Sequence, residues 1–182
     1  KVDIIVVDGN STDATAAEAE KRGAHVINEP RKGYGRAYKT GFAAATGEFI
    51  ATLDGDTTYP AEIIPHVLAL LLNRGLDFIT CNRLTMMDTG AMSMTHRMGN
   101  WSLTMATNVL HGIHIRDSQS GMWVFRRRIL KEIQLTSDGM PLSEEIKIET
   151  FRRGLKVLEI PVEYRARIGD VKLNTWEDGV QN

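Results

Sequence analysis

The sequence predicts an α/β fold in which helices cover both faces of a mainly parallel sheet. Strand-like and helix-like segments alternate through the first half of the chain, a pattern typical of parallel strands joined by helices. Residues 2–7 form a β-branched run broken only by Asp3, as expected of a strand buried on both faces. The 182 residues are 42% hydrophobic and 25% charged, with no internal repeat and no linker-like stretch. We therefore expect one domain over residues 1–182, with ligands bound where strands end.

Turn and cap residues set the expected boundaries in the first half. Ser11 or Thr12 is expected to cap a helix over 14–21, and Gly23 to end it. The predicted elements of this half are strand 2–7, helix 14–21, strand 24–28, a glycine-containing loop 29–35, helix 36–45, strand 49–53 and helix 60–72.

The second half is less regular. Pro161 lies inside a predicted strand and indicates an edge strand or a bend. The single cysteine, Cys81, excludes an intramolecular disulfide, and we expect it to be a small buried residue at the end of a strand. The predicted elements are strand 78–81, loop 86–93, helix 98–110, a polar turn 115–121, strand 122–125, helices 129–133 and 143–153, strand 157–164 and a tail 168–182 without strong periodicity.

Charge and hydropathy exclude two classes of function. Lysine and arginine total 22 against 23 aspartate and glutamate, for a formal net charge of −1, so no global electrostatic argument supports nucleic-acid binding. The longest apolar stretch, 67–72, is far shorter than the roughly 20 residues of a membrane-spanning helix. The sequence therefore predicts a soluble or membrane-peripheral protein. We expect it in the cytoplasm or at the cytoplasmic face of a membrane.

Two carboxylates one residue apart, Asp54 and Asp56, directly follow the apolar run 49–51. Side chains two apart in a strand point to the same side, so both carboxylates can converge beyond the strand end. Such hard oxygen ligands suit Mg²⁺ or Mn²⁺, whose coordination is usually completed by phosphate oxygens. A nucleotide diphosphate is therefore the first substrate class to consider. The alternative is ordinary turn chemistry, for which Asp-Gly-Asp is equally suited.

Five motifs follow one another in a fixed order along the chain. They are Val6-Val7-Asp8-Gly9-Asn10-Ser11-Thr12-Asp13, Lys32-Gly33-x-Gly35, Leu53-Asp54-Gly55-Asp56, Asp117-x-x-Ser120-Gly121 and Arg167-x-Gly169-x-x-Lys172-Leu173. In this order they resemble the motifs of family 2 glycosyltransferases of the GT-A fold, most of all the dolichol-phosphate and other polyprenyl-phosphate mannosyl- and glucosyltransferases. The family's first strand and the Pro-x-Tyr-Asn-Glu segment after it would precede Lys1, so we expect that a first strand is missing.

The resemblance implies roles on the donor side. Asp8 would meet the nucleobase, although a helix cap is the alternative; Lys32 and Gly33 would lie near the donor phosphates. Asp54 would approach the ribose or sugar, and Asp56 would bind the metal that bridges the diphosphate. The chain departs from the family's pattern in two places: Gly9 replaces a second aspartate, and Thr58 stands where some relatives have a glutamine.

The resemblance also implies an acceptor side. A polyprenyl phosphate is already an anion and needs cations to hold it rather than a strong base. A plain turn and solvated arginines are the alternatives. The candidates are Arg83, Arg97, Arg116, Arg167 and Lys172, with Ser120 of the Asp-x-x-Ser-Gly loop lining the acceptor.

An acid is expected near the active centre, and Glu144 and Glu145 open a predicted helix at that point in the chain. We favour Glu145 as catalytic, with stabilisation of the helix N-terminus as the alternative.

Membrane contact has two further candidates. The basic run at 126–128 could lie against anionic lipid, and the methionines at 86, 87, 92 and 94 could form an apolar edge for a lipid tail. A solvated turn and core packing are the alternatives.

Together these features predict an inverting, metal-dependent glycosyltransferase that moves a hexose from a nucleotide-diphosphate sugar of the UDP-glucose or GDP-mannose type to a polyprenyl phosphate. One alternative is transfer to a soluble hydroxyl compound or a glycan. Another is a nucleotide-sugar binding module without turnover.

Overall fold

A computed structural model of the chain describes residues 2–87 and 92–166. The strands are β1 Ile5–Asp8, β2 His25–Asn28, β3 Phe49–Ala51, β4 Phe78–Met87, β5 Trp123–Arg126 and β6 Val157–Tyr164. The helices are α1 Thr15–Lys21, α2 Tyr34–Ala44, α3 Ile64–Asn73, α4 Met94–His111 and α5 Leu142–Arg152, with short 3₁₀ helices at Ala61–Ile63 and Arg127–Lys131.

Four strands form a mixed sheet in the order β3-β5-β4-β6. β5 is antiparallel to both β3 and β4, whereas β4 and β6 are parallel. β1 and β2 pair in parallel as a separate two-stranded sheet. The α/β class is confirmed, but the sheet is less parallel than predicted. A long irregular segment, 112–122, follows α4 and lets the chain enter β5 from the opposite end.

Helices cover both faces of the four-stranded sheet, as predicted. Because side chains alternate along β5, Trp123 and Phe125 face one side and Val124 the other. Trp123 and Phe125 belong to a buried cluster that includes Phe42 of α2 and Ile146 of α5. Val124 instead packs in a cluster with residues of α3. Each large apolar side chain buried in this way contributes about 1.5–3 kcal/mol to folding.

Several boundaries differ from the sequence-based expectations. Val2 and Ile4 are 85% and 58% exposed, and β1 itself is largely half-buried, so a strand buried on both faces was wrong. The caps expected at Ser11 or Thr12 were also wrong: the Asp13 carboxylate accepts the Thr15 N–H at 3.0 Å. α4 begins at Met94, four residues earlier than predicted, because the Ser93 hydroxyl caps it. The predicted tail 168–182 lies outside the described residues.

Two details of the second half are confirmed. Cys81 is fully buried as expected, although it lies inside β4 rather than at its end, and burial raises the pKa of its thiol to about 12. Pro161 of β6 pairs with Asn82 of β4, and β6 is an edge strand of the four-stranded sheet. Across residues 2–87 and 92–166, no helix combines the length and apolarity that crossing a bilayer requires.

Candidate active site

The two carboxylates predicted from the sequence lie just beyond β3, and neighbouring side chains orient both. Oδ1 of Asp54 accepts a hydrogen bond from the Tyr38 hydroxyl at 3.0 Å. Oδ1 of Asp56 accepts from the Thr58 hydroxyl at 2.6 Å and from the Thr58 N–H at 3.1 Å. Thr58 is itself buried. Thr58, which stands where some of the resembling enzymes have a glutamine, therefore holds the Asp56 carboxylate in place.

Two tyrosines missed by the sequence analysis line the approach to Asp54. Tyr34 and Tyr38 lie four residues apart on α2, with ring centroids 4.7 Å apart. Burial raises the pKa of both phenols, and the Asp54 charge adds to the shift. Both phenols therefore stay neutral, and Tyr38 donates to the carboxylate. The sequence placed Tyr34 in the loop 29–35 and began the helix at residue 36, so the predicted boundaries hid the four-residue spacing that brings the two tyrosines together on α2.

The Asp-x-x-Ser-Gly motif lies directly beside the first carboxylate. A Cβ atom added at Gly121 would lie 2.4 Å from the Tyr34 hydroxyl and 3.1 Å from Oδ1 of Asp54. Only glycine lets the backbone approach this closely. The Thr52 hydroxyl donates to the Gly121 carbonyl oxygen at 2.8 Å and so helps to fix the position of this glycine. Two motifs separated by about 60 residues thus meet at one site.

Asp117 holds the start of this loop through a buried ion pair with Arg83. Nε and a terminal nitrogen of Arg83 lie 2.8 and 2.9 Å from the two oxygens of Asp117. Burial by itself would raise the pKa of the Asp117 carboxyl. The positive charge of Arg83 and its hydrogen bonds lower this pKa by more, so it lies below its usual value. The expectation that Arg83 receives an acceptor phosphate was wrong, since both side chains are buried and bonded to each other.

Lys147 of α5 hydrogen-bonds to the same loop from the protein interior. Its side chain is fully buried, and its Nζ lies 3.1, 2.6 and 2.9 Å from the carbonyl oxygens of Asp117, Ser118 and Ser120. An ammonium group has three protons, which match these three acceptors. Burial lowers the pKa of Lys147 to about 7. Sequence reasoning passed over this lysine.

The two neighbouring glutamates of α5 contact different segments. Oε1 of Glu144 accepts from the Ser118 hydroxyl at 2.7 Å and from the Gln119 amide at 2.6 Å. Glu145 instead accepts from Thr136 and Ser137, at distances of 2.6 to 2.9 Å. The structure thus brings Glu144, and not the favoured Glu145, against the loop beside Asp54. The catalytic role of Glu145 stays a prediction.

The glycine-containing loop before α2 packs against residues 137–139. Gly33 has φ 138°, and a Cβ atom there would lie 2.2 Å from the Asp138 carbonyl oxygen. The N–H groups of Gly35 and Arg36 donate to backbone carbonyls of the same segment at 3.1 and 3.0 Å. Close packing therefore accounts for both glycines, while donor-phosphate binding by Gly33 and the exposed Lys32 stays a prediction.

The remaining predicted residues fall into three groups. Asp8 is buried, and its carboxylate accepts the Ser11 N–H at 3.2 Å, so its nucleobase contact stays a prediction. Arg116 is exposed, whereas Ser120 is fully buried with its hydroxyl 3.2 Å from that of Tyr59. Two further predicted residues lie outside the described part of the chain, Arg167 and Lys172.

The basic run at 126–128 makes contacts within the protein, and its alternative contact with anionic lipid stays a prediction. The arginine side chains of this run hydrogen-bond to neighbouring segments. Arg126 and Arg127 donate to the backbone carbonyl oxygens of residues 76 and 47, at 3.0 and 2.7 Å. Arg128 forms an ion pair with Asp77 at 2.5 Å. Of the methionines expected at an apolar edge, Met92 packs against a core cluster and Met94 is exposed on α4.

Comparison with known proteins supplies the family. The family model described as "Glycosyl transferase family 2" matches residues 1–134. The chain belongs to glycosyltransferase family 2. It is 35% identical over 181 residues to a dolichyl-phosphate hexose transferase of Haloferax volcanii, covering 98% of this chain and 77% of that protein. It is 34% identical to glycosyltransferase AglJ of the same organism, covering 97% of this chain but only 59% of the relative.

Solved structures confirm a GT-A-like fold for this family 2 member. Glucosyl-3-phosphoglycerate synthase from Mycobacterium tuberculosis, in complex with phosphoglyceric acid, matches 93% of this chain with a TM-score of 0.74 at 23% identity. The same synthase in complex with Mn²⁺ and UDP-glucose matches 92% with a TM-score of 0.72. The chain spans 62% and 61% of the lengths of those two structures.

The carboxylates of this family 2 glycosyltransferase fit a divalent metal only together with a substrate. In the described ranges, no three or more His, Cys, Asp or Glu side chains are gathered as a metal site. Mg²⁺ is commonly held by one or two carboxylates plus substrate phosphates, and Mn²⁺ accepts the same hard oxygen ligands. Asp54 and Asp56 provide such a partial ligand set, with Oδ1 of Asp56 already fixed by Thr58.

The buried ammonium of Lys147 predicts a pH-dependent stability. Its pKa is about 7 in the folded chain, below the usual lysine value of 10.5, so between these pH values the unfolded chain binds a proton that the folded chain has released. We expect the free energy of unfolding of the wild type to rise with pH over this window, relative to Lys147→Met. Urea denaturation at pH 7, 8, 9 and 10 measures the difference. The exposed Lys156 provides the control variant Lys156→Met, which should parallel the wild type; a parallel curve for Lys147→Met would contradict the assignment.

Proposed function

We propose that this family 2 chain is a metal-dependent hexosyltransferase that moves a hexose from a nucleotide-diphosphate sugar to a polyprenyl phosphate, with inversion at the transferred carbon. The observation that carries the proposal is the meeting of Asp54 with Gly121, which sets the predicted donor motif directly against the predicted acceptor loop. The curated relative named as a dolichyl-phosphate hexose transferase supports the acceptor class.

On the donor side, Asp56 and Asp54 would hold Mg²⁺ or Mn²⁺ together with the diphosphate. The metal would neutralise charge on the departing nucleoside diphosphate. Tyr38 keeps Asp54 oriented by donating to it. Asp8 would meet the nucleobase, and Lys32 would approach the donor phosphates. The Mn²⁺ and UDP-glucose in the structurally similar synthase are consistent with this donor class.

On the acceptor side, the phosphate needs positioning rather than deprotonation. Arg116 is exposed next to the loop, and Arg167 and Lys172 belong to the remaining predicted motif. Because Glu144 contacts Ser118 and Gln119, we assign to Glu144 the acid that the family places near the active centre. Its role would be to hold the loop and the acceptor rather than to act as a strong base.

An acceptor comparison tests this function. Purified protein with Mn²⁺ is supplied with radiolabelled UDP-glucose or GDP-mannose and with a short-chain polyprenyl phosphate, the matching polyprenol, or a soluble glycan. We expect transfer only to the phosphate, and we expect Arg167→Ala to weaken use of that acceptor far more than binding of UDP or GDP. Transfer to the glycan instead would support a hydroxyl acceptor. Binding of UDP or GDP without turnover of any donor would support a binding module.

A further inference from the structure

α4 presents an apolar stripe to its surroundings. The side chains of this stripe follow one another at spacings of four, three, four and four residues. This spacing places them on one face of the 18-residue helix, which is about 27 Å long. The exposed fractions of these side chains run from 45% to 76%. The members of this α4 stripe are Met94, Met98, Trp101, Met105 and Val109.

The inward face of α4 is polar, which reverses the usual arrangement of a surface helix. Thr104 and Thr107 are its buried residues. Thr104 donates to the Ser118 hydroxyl at 3.1 Å, and Thr107 donates to Glu144 at 3.0 Å. Hydrogen bonds to the loop and to α5 therefore attach the helix, while its apolar side chains contribute little to the core. Soluble monomers rarely expose a contiguous apolar surface of this kind.

The charged side chains within residues 92–116 have one sign. Residues 92–116 contain no aspartate or glutamate, but they contain Arg97 and Arg116, both exposed. A second copy docked through α4 would bring two helices without carboxylates against each other. An anionic surface complements this region instead.

We propose that the α4 stripe docks on the surface of an anionic lipid bilayer, with α4 lying in the plane of the interface. Tryptophan, methionine and valine side chains enter the boundary between headgroups and acyl chains, and the arginines meet lipid phosphates. The stripe includes Met94, one of the methionines for which the sequence suggested an apolar edge against a lipid tail.

Docking through α4 sets the acceptor loop close to the bilayer. The helix that enters the interface is bonded through Thr104 and Thr107 to Ser118 and Glu144, beside the site of Asp54. A lipid-linked phosphate could then reach the site without leaving the membrane. This consequence rests on the proposed polyprenyl-phosphate acceptor, whereas the docking itself does not.

Vesicle sedimentation tests the docking. Wild-type protein is mixed with vesicles of phosphatidylcholine alone or with added phosphatidylglycerol, and the bound fraction is measured against lipid concentration. We expect binding to the anionic vesicles, a loss of tenfold or more in Trp101→Gln/Met105→Gln, and about a fivefold loss in Arg97→Gln. The matched control is Val2→Gln/Leu72→Gln, which changes two exposed apolar residues outside α4 and should bind like the wild type.

Three results would overturn the proposal. They are absence of wild-type binding to anionic vesicles, an equal loss in the control variant, and a wild-type dimer in light scattering that Trp101→Gln/Met105→Gln converts to a monomer without changing vesicle binding. The vesicles contain no polyprenyl phosphate, so their result is independent of the acceptor. Transfer to a water-soluble short-chain polyprenyl phosphate can succeed when docking fails, and docking can succeed when transfer fails.

Discussion

Asp56→Ala is expected to lower kcat for hexose transfer about a thousandfold, because a metal ligand supplies several kcal/mol of transition-state stabilisation and each 1.36 kcal/mol is a factor of ten. The same change should abolish the Mn²⁺-dependent part of UDP or GDP binding. Initial rates at saturating donor, together with calorimetric titration of the nucleotide with and without Mn²⁺, measure both effects.

Two further variants are needed to interpret the effect of Asp56→Ala. Thr58→Val removes the hydroxyl that orients the Asp56 carboxylate and should reduce kcat less than Asp56→Ala does. Asp3→Ala removes an exposed carboxylate outside the site and should leave both measurements unchanged. If Asp56→Ala retained full Mn²⁺ dependence, the metal would have to be held elsewhere.

Arg83→Met is expected to destabilise the fold by about 3–5 kcal/mol, because it leaves the buried Asp117 carboxylate without its ionic partner. Urea denaturation followed by circular dichroism measures the change in the free energy of unfolding. The loop beside Asp54 begins at this carboxylate, so activity should fall as well.

A surface ion pair provides the comparison. Arg153 is half-exposed, with Nε 3.7 Å from an oxygen of Glu149, and Arg153→Met should change the free energy of unfolding by only about 0.5 kcal/mol. Adding Asp117→Asn to Arg83→Met should recover part of the lost stability, since the uncompensated charge is then removed. If Arg83→Met and Arg153→Met were equally mild, the buried pair would be unimportant for stability.

Hydrophobic patterning predicted the elements of the fold more reliably than their directions. The run before Asp8 and the segment 24–28 gave two strands joined by a helix, and they do pair in parallel. The reversal of β5 escaped prediction, because apolar residues such as Val124 identify a buried strand without indicating which end the chain enters. α4 was found but begins earlier than predicted, since its start depends on a serine cap after a polar segment.

The site was predictable where its chemistry is local in sequence. Asp54 and Asp56 were found because two carboxylates follow one strand. The supporting contacts were missed because they join distant positions: Arg83 and Asp117 are 34 residues apart, and Lys147 reaches loop carbonyls 27 to 30 residues away. A lysine or arginine in a sequence is ordinarily a surface residue, and only the assembled fold shows that both of these are buried.

The burial of Cys81 makes site-specific labelling straightforward. It is the chain's single cysteine, it is fully buried, and burial raises the pKa of its thiol to about 12, so it will react very slowly with maleimides in the folded state. Met98→Cys would therefore introduce one reactive thiol on α4, and Leu72→Cys would introduce one on α3. A fluorophore or nitroxide at either position can then report on the surroundings of that helix in the otherwise unaltered protein.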